Sequence, residues 1–220
     1  MRLLLLRHGQ THANVAGALD TADPGHELTD LGHTQATTAA QALVDEHLDA
    51  VYVSSRVRTH QTASPLVRTR RLRPTQLPGL EEISAGDYEM ASDHDSVVGY
   101  ITTVAAWIQG DLGLRMPGGE TGHEFLARFD AAVERIGREG HGAALVVSHG
   151  AALRTWTSAR LPASVGEPAA TEHLHNTALI TLEGRPGAGW DLVDWHSDPI
   201  GGRFLEDESA PDPTGDLDAE

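Results

Sequence analysis

Two short runs place a histidine beside a glycine directly after an apolar stretch: Arg7-His8-Gly9 follows residues 3–6, and Ser148-His149-Gly150 follows residues 143–147. Continuous apolar runs of this length read as strands buried on both faces. Polar, glycine-bearing turns past the carboxyl ends of parallel strands are where α/β proteins carry chemistry, and parallel strands bring those ends to one rim. The two imidazoles are therefore expected to share one site. Imidazole transfers protons or attacks as a nucleophile near neutral pH, and Arg7 adds fixed positive charge beside it. That charge matters, because 32 Asp and Glu oppose 16 basic residues for a net charge of -16. An anionic substrate needs a local positive pocket in such a chain.

The rest of the composition narrows the classes. No cysteine means no disulfide framework, no thiolate nucleophile and no cysteine-bound zinc or iron–sulfur cluster, and the expected compartment is the cytoplasm. All basic residues are arginine, so neither a Schiff-base lysine nor a Walker lysine exists. The acidic balance argues against nucleic-acid or anionic-membrane partners. Residues 3–6 are too short for a signal-peptide core or a membrane span. At 220 residues the chain fits one domain with its own core.

The elements that must position the two histidines alternate as β-α-β-α-β, the pattern of an α/β fold. Residues 3–6 form the first strand, and an alanine-rich helix over 29–48 starts at Thr29 or Asp30. A short strand over 50–53 leads into a helix expected to stop near Pro65, followed by a weak extended segment over 72–77. Residues 80–119 are acidic and glycine-bearing, with a helix over 97–108, and are expected to sit over the strand ends as a cap. Residues 121–139 are amphipathic, with Phe125, Phe129, Ala132, Val133 and Ile136 on one side. The strand over 143–147, a helix over 151–160 and late strands over 177–182 and 190–195 complete the pattern. The expected organisation is one domain over 1–203 with a cap insertion at roughly 83–117. The Pro-bearing tail over 204–220, acidic with seven carboxylates from Glu206 on, is expected to be disordered.

Further motifs accompany the two histidines in a fixed order. Leu6-Arg7-His8-Gly9-Gln10-Thr11 with Asn14, Leu28-Thr29-x-x-Gly32-x-x-Gln35-Ala36, the 54–63 block ending Arg58-Thr59-His60-Gln61-Thr62-Ala63, residues 80–89 with Glu82 four before Gly86, Pro117-Gly118-Gly119-Glu120-Thr121, and Val147-Ser148-His149-Gly150 run to about Trp195. Together they resemble the histidine phosphatase superfamily, also called the phosphoglycerate-mutase-like family. In the third block one residue is missing after the Ser54-Ser55 pair; alignment on the Arg-Thr-x-Gln-Thr-Ala end selects Arg58, with Arg56 the alternative. Ala85 and Met90 stand where the family pattern has an aromatic residue and a glycine.

The resemblance implies a three-layer α/β/α sandwich on a mostly parallel central sheet with a small helical cap. It implies that His8 is a nucleophile forming a phosphohistidine and that Glu82 is the general acid and then the base for water. Arg7, Arg58, Asn14, His149 and backbone amides at Gly9 and Gly150 would hold the phosphoryl oxygens, with Gln10 and Thr11 lining the same loop. A neutral imidazole attacks only while its other nitrogen's proton is held. Glu82 must start protonated, which burial favours and the arginines oppose. No cofactor and no metal are implied. The pair His173-x-His175 has the spacing of two metal ligands on one strand face but no completing acidic cluster in sequence. His12 and His60 lie near the motifs, Asn176-Thr177 precedes a late strand, and Trp107 is either core or a substrate contact.

The same machinery serves mutases and phosphatases. Residues 81–114 contain no cation but carry Glu81, Glu82, Asp87, Glu89, Asp93, Asp95 and Asp111. A mutase for sugar acids must hold a second anion, so the expectation is a cofactor-independent phosphomonoesterase for a small substrate that is neutral or cationic apart from its phosphate. A phosphoglycerate-type mutase is the alternative, and a non-catalytic phosphate-binding module is the weaker one, since a module has no need of Glu82. The late strands leave room for a homodimer.

Overall fold

The computed structural model of the protein describes residues 1–162 and 173–215. A six-stranded sheet runs in the order β3-β2-β4-β1-β5-β6, with β1 Arg2–Arg7, β2 Ala50–Val53, β3 Pro74–Gln76, β4 Ala143–Ser148, β5 Leu179–Arg185 and β6 Gly189–His196. The first four of that order are parallel, while β5 and β6 are antiparallel to their neighbours. β1 and β4 lie side by side with Arg7 opposite Ser148, so His8 and His149 leave adjacent strands at the same level. That register makes the two histidine motifs one place.

Strand alternation divides the core. Leu3, Leu5, Ala144 and Val146 face one side, against α4 His94–Ile108, α5 Gly122–Arg138 and α6 Gly150–Arg160. Leu4, Leu6, Leu145 and Val147 face the other, against α2 Asp30–Ala42 and α3 Val57–Arg70. Both faces of β1 and β4 are therefore covered, which explains apolar runs with no alternation. The result is the expected mixed α/β arrangement with a helical layer on each side of the sheet.

Several boundaries differ from expectation for identifiable reasons. α3 continues through Pro65 to Arg70, because Thr62, Ala63, Leu66 and Val67 bury its inner face and outweigh one missing backbone donor. α2 ends at Ala42, not Leu48. β3 is a three-residue edge strand that begins at Pro74, a place where proline removes no needed ladder bond. α4 starts at His94, where the Asp93 side chain accepts from the Ser96 amide. Its Tyr100, Ile101, Val104 and Trp107 belong to the same core as the strands, and Trp107 stacks on Phe125 at 6.1 Å. Trp107 is thus a core residue.

The C-terminal segment also departs from expectation. A 3-10 turn at Arg203–Leu205 buries Leu205, and residues 212–215 are buried against the strand ends. Buried polar partners, not apolar ones, hold it there. Hydropathy does not reveal such partners in advance. Residues 216–220 lie outside the described part.

Candidate active site

His8 is only 2 % exposed, and its Nδ1 lies 2.8 Å from the Gly9 carbonyl oxygen. A carbonyl only accepts, so the ring proton sits on Nδ1 and Nε2 keeps its lone pair. Burial, with Arg58 and Arg7 nearby, holds the imidazole well below the usual histidine range, against the opposing pull of Gly9 and Asp212. His8 is neutral at pH 7. His149 stands edge-on to it with ring centroids 5.2 Å apart. Ser54 Oγ is 2.7 Å from His149 Nε2; with the serine donating, the imidazole proton lies on Nδ1. Burial first, then Arg58 and His8, keeps this ring neutral as well.

Glu82 is buried at the amino end of α6. Its Oε1 accepts from the Ile83 and Ala152 amides at 2.8 and 2.7 Å, and Oε2 accepts from Ala151 at 3.2 Å. Burial pushes its pKa up; the Ile83 and Ala152 bonds and the charges of Arg58 and Arg7 act against that without reversing it. The carboxyl is thus both anchored and biased toward keeping a proton.

The two arginines are held differently. Arg58 is buried and gives Nη2 to the Asp20 carbonyl at 2.9 Å and Nη1 to Asp20 Oδ2 at 3.3 Å. Arg56 turns outward to the Thr21 carbonyl, Ser55 Oγ and Asp23. Of the two candidates, Arg58 is the one whose charge weighs most on both catalytic-motif histidines after burial itself. Arg7 is fully buried. Its Nη1 donates to the Leu174 carbonyl at 2.5 Å and Asp212 Oδ2 at 2.7 Å, its Nη2 to Asp212 Oδ1 at 2.6 Å and Thr214 Oγ1 at 3.1 Å. Three buried donors beside these groups have no partner among the described residues: Arg7 Nε, Arg58 Nε and His149 Nδ1. Buried donors without acceptors are rare, and a cluster of them marks the place of an absent acceptor. Unpartnered donors on two arginines and a histidine near a neutral imidazole suit a tetrahedral anion.

The remaining sequence-predicted residues divide into donors and scaffold. Asn14 caps with Thr11: Oδ1 accepts from the Thr11 amide and hydroxyl at 2.9 and 3.0 Å, which fixes Nδ2 outward, where it donates to Asp212 Oδ1 at 2.8 Å. Gly9 does not offer its amide, because that N–H already goes to Thr62 Oγ1 at 3.0 Å. A Cβ at Gly9 would meet the Gly32 carbonyl at 2.7 Å, so the glycine serves close packing of α2. Gln10 joins Gln35, Thr29 and Asp207, and Thr11 is an N-cap. Gly150 opens α6, and a Cβ there would lie 2.4 Å from the Thr214 carbonyl and 3.0 Å from Arg7 Nε. Asn176 donates to the His8 carbonyl at 3.1 Å, which joins the strand-β5 approach to the site. His12 is exposed and His60 half-buried.

His173 and His175 stack at 4.2 Å beside the C-terminal segment. His175, Asp198 and Glu206 bring ligand-type atoms within 4.8 Å of one another. His175 Nε2 lies 3.1 Å from Glu206 Oε1, and burial first, then His173 and Arg7, holds the His175 imidazole down to about 4. Sequence reasoning gave no role to Asp20, Ser54, Thr62 or Asp212. Ser54 and Thr62 lie in the third motif block and Asp20 and Asp212 in none, and each takes its role from the partner that the fold brings to it.

The chain is similar to known proteins along most of its length. The description "Histidine phosphatase superfamily (branch 1)" matches residues 3–198. The chain is 32% identical over 212 residues to a PE-PGRS family protein of Mycobacterium tuberculosis, covering 89% of this chain and 36% of that protein, about a third of its length. It is 33% identical over 136 residues to the adenosylcobalamin/alpha-ribazole phosphatase of Salmonella typhimurium, covering 62% of this chain and 67% of that one. A mycobacterial glucosyl-3-phosphoglycerate phosphatase solved in complex with VO3 superposes with a TM-score of 0.75 at 25% identity, over 90% of this chain and 99% of that one. The ordered motifs, the paired strand-end histidines and the family match across nearly the whole chain have one reading: the chain belongs to the histidine phosphatase superfamily, branch 1.

Proposed function

We propose that the protein is a cofactor-independent phosphomonoester hydrolase that works through a phosphohistidine on His8. The observation that carries this reading is the proton held on His8 Nδ1 by the Gly9 carbonyl, which leaves Nε2 a lone-pair nucleophile beside three unpartnered buried donors. In the first step His8 Nε2 bonds to phosphorus while the ester P–O bond breaks, and the leaving oxygen takes the proton of the Glu82 carboxyl. In the second step water attacks the phosphohistidine, gives its proton to the Glu82 carboxylate, and the N–P bond electrons return to Nε2. Arg7, Arg58 and His149 stabilise the equatorial charge.

The same assignment of roles leads to the expectation of an acid-type pH optimum. Glu82 must be protonated and His8 neutral at once, and the site raises the former pKa while lowering the latter. The working window therefore lies on the acidic side of neutrality.

The groove that reaches Glu82 is lined by Arg56, Arg115 and Arg128, and each already faces a carboxylate: Asp23, Glu124 and Glu120. Among the described residues, each arginine of this groove is thus already matched by a carboxylate of the protein, which disfavours a second acidic group on the substrate. This favours hydrolysis of esters whose alcohol part is neutral or cationic, of the kind named for the alpha-ribazole phosphatase relative, over phosphoglycerate isomerisation. The cysteine-free composition supports a reducing compartment such as the cytoplasm; among the described residues no helix is long and apolar enough to cross a membrane.

The test is phosphate release by wild type and His8→Ala across sugar phosphates, nucleotides, α-ribazole phosphate and phosphopeptides, with a parallel 3-phosphoglycerate mutase assay. Release that vanishes in His8→Ala and ranks neutral alcohols first is expected. Efficient interconversion with little release would make the protein a mutase. Phosphate binding with no turnover in either assay would make it a binding module.

A further inference from the structure

Asp212 lies far from every motif in sequence, yet its carboxylate is buried and held by charged and amide donors. It receives both Nη groups of Arg7 at 2.7 and 2.6 Å and the Asn14 amide at 2.8 Å. Those are two of the groups assigned above to the substrate phosphate. With Thr214 Oγ1 and the Leu174 carbonyl, Asp212 uses all four Nη hydrogens of Arg7 and leaves only Nε. Arg58 meanwhile faces Asp20. Both arginine charges are therefore compensated from within the protein, a poor state for receiving a phosphate dianion.

We propose that the C-terminal segment 206–215 is an internal competitive ligand of the phosphate pocket, with Asp212 as its head group, so that Asp212 sets the apparent affinity for phosphoryl substrates. This rests on the phosphate-pocket reading above. The carboxylate imitates two phosphate oxygens, and it does not reach Arg7 Nε, Arg58 Nε or His149 Nδ1, which stay unpartnered. A tetrahedral dianion engages those donors as well, and so displaces the aspartate at sufficient concentration.

The segment is built to leave. Beyond Leu205, hydrogen bonds and ion pairs hold it: Asp207 to Gln10, Glu206 to His175, and the Gly215 carbonyl to the Leu174 amide and Arg154 Nη1. A cavity of about 220 Å³ is lined by residues of the segment and by Gln35, His173 and Asn176. Asp212 itself has φ +36°, a left-handed conformation that costs a non-glycine residue free energy. Most of the contacts that hold the segment are polar, so water and a competing anion can replace them, as a reversible strap requires.

The experiment measures binding of inorganic phosphate by calorimetry, and KM and kcat for phosphate esters, in full-length wild type, Asp212→Asn and Asp212→Ala. Asparagine keeps the shape and removes the charge, so a folding defect in the alanine variant does not obscure the result. If about nine molecules in ten hold the closed state, both variants bind phosphate about tenfold more tightly. KM falls by a similar factor and kcat stays within about twofold. In wild type, added phosphate speeds amide hydrogen exchange over 207–215. Unchanged or weaker phosphate binding, with kcat reduced, would overturn the proposal and make Asp212 a residue that positions Arg7. Tighter phosphate binding in variants that never turn over esters would support the internal ligand and defeat the hydrolase reading.

Discussion

Glu82 has to carry a proton at one moment and accept one at the next, and its surroundings are balanced for that. Burial raises its pKa and backbone amides at the start of α6 hold it back. His8 is shifted the other way. The pH profile of kcat should therefore be a bell whose acid limb lies below 6.5 and belongs to His8, and whose basic limb lies above 4.5 and belongs to Glu82. Glu82→Gln should lose about 10²- to 10⁴-fold in kcat on esters with poor leaving groups, much less on p-nitrophenyl phosphate, and the basic limb should vanish. A retained basic limb in that variant would assign it to another group. Arg7, His8, Arg58, Glu82 and His149 were legible because each is a chemically unusual residue in a spaced motif. Asp20 and Asp212 were not, since an ordinary aspartate acquires meaning only from a neighbour tens of residues away; Ser54 stood in a motif block, but its contact with His149 did not show there.

At the scale of elements, the site is a set of chain ends aligned by register. β1 and β4 deliver the histidines, α1 (His12–Ala16) holds Asn14 through its capping box, and α6 presents its amino end to Glu82. Thr11→Ala removes the cap and one of the two acceptor bonds that fix the Asn14 amide. It should cost about 1 kcal/mol of stability in urea unfolding and raise KM more than it lowers kcat. Phe129→Ala, in the middle of α5, should cost about 3–5 kcal/mol without moving KM in the folded fraction. The buried strands and the amphipathic α5 were readable from pattern alone. The passage of α3 through Pro65 was not, because local proline chemistry predicts a stop and only the packing of Leu66 and Val67 overrides it.

For the whole molecule, the neutral buried histidines tie stability to pH. His8 and His149 have folded pKa values below the ordinary 6.5, so below that pH the unfolded chain binds more protons. Their contribution is complete above 6.5 and is lost as pH falls toward the folded values. Glu82 has the opposite sign: its contribution is present below 4.5 and is lost as pH rises through its raised value. Two histidines against one carboxyl predict a Tm that falls as pH drops below 6.5, and a smaller or reversed slope in His8→Gln/His149→Gln, measurable by calorimetry. Chelator should leave turnover unchanged, because no step of the proposed reaction uses the His175, Asp198 and Glu206 group. The α/β class was visible in the alternation of runs, whereas the docking of the C-terminal segment was hidden, because a hydrophilic tail that buries one carboxylate on one arginine has the composition of a disordered one. The central claim is the covalent intermediate on His8. Rapid quenching of turnover on a labelled phosphomonoester, followed by peptide mass spectrometry in alkali, tests it directly. The account predicts a base-stable, acid-labile phosphoryl group on the peptide containing His8, absent in His8→Ala together with phosphate release. Steady hydrolysis with no such species, or turnover surviving in His8→Ala, would contradict it.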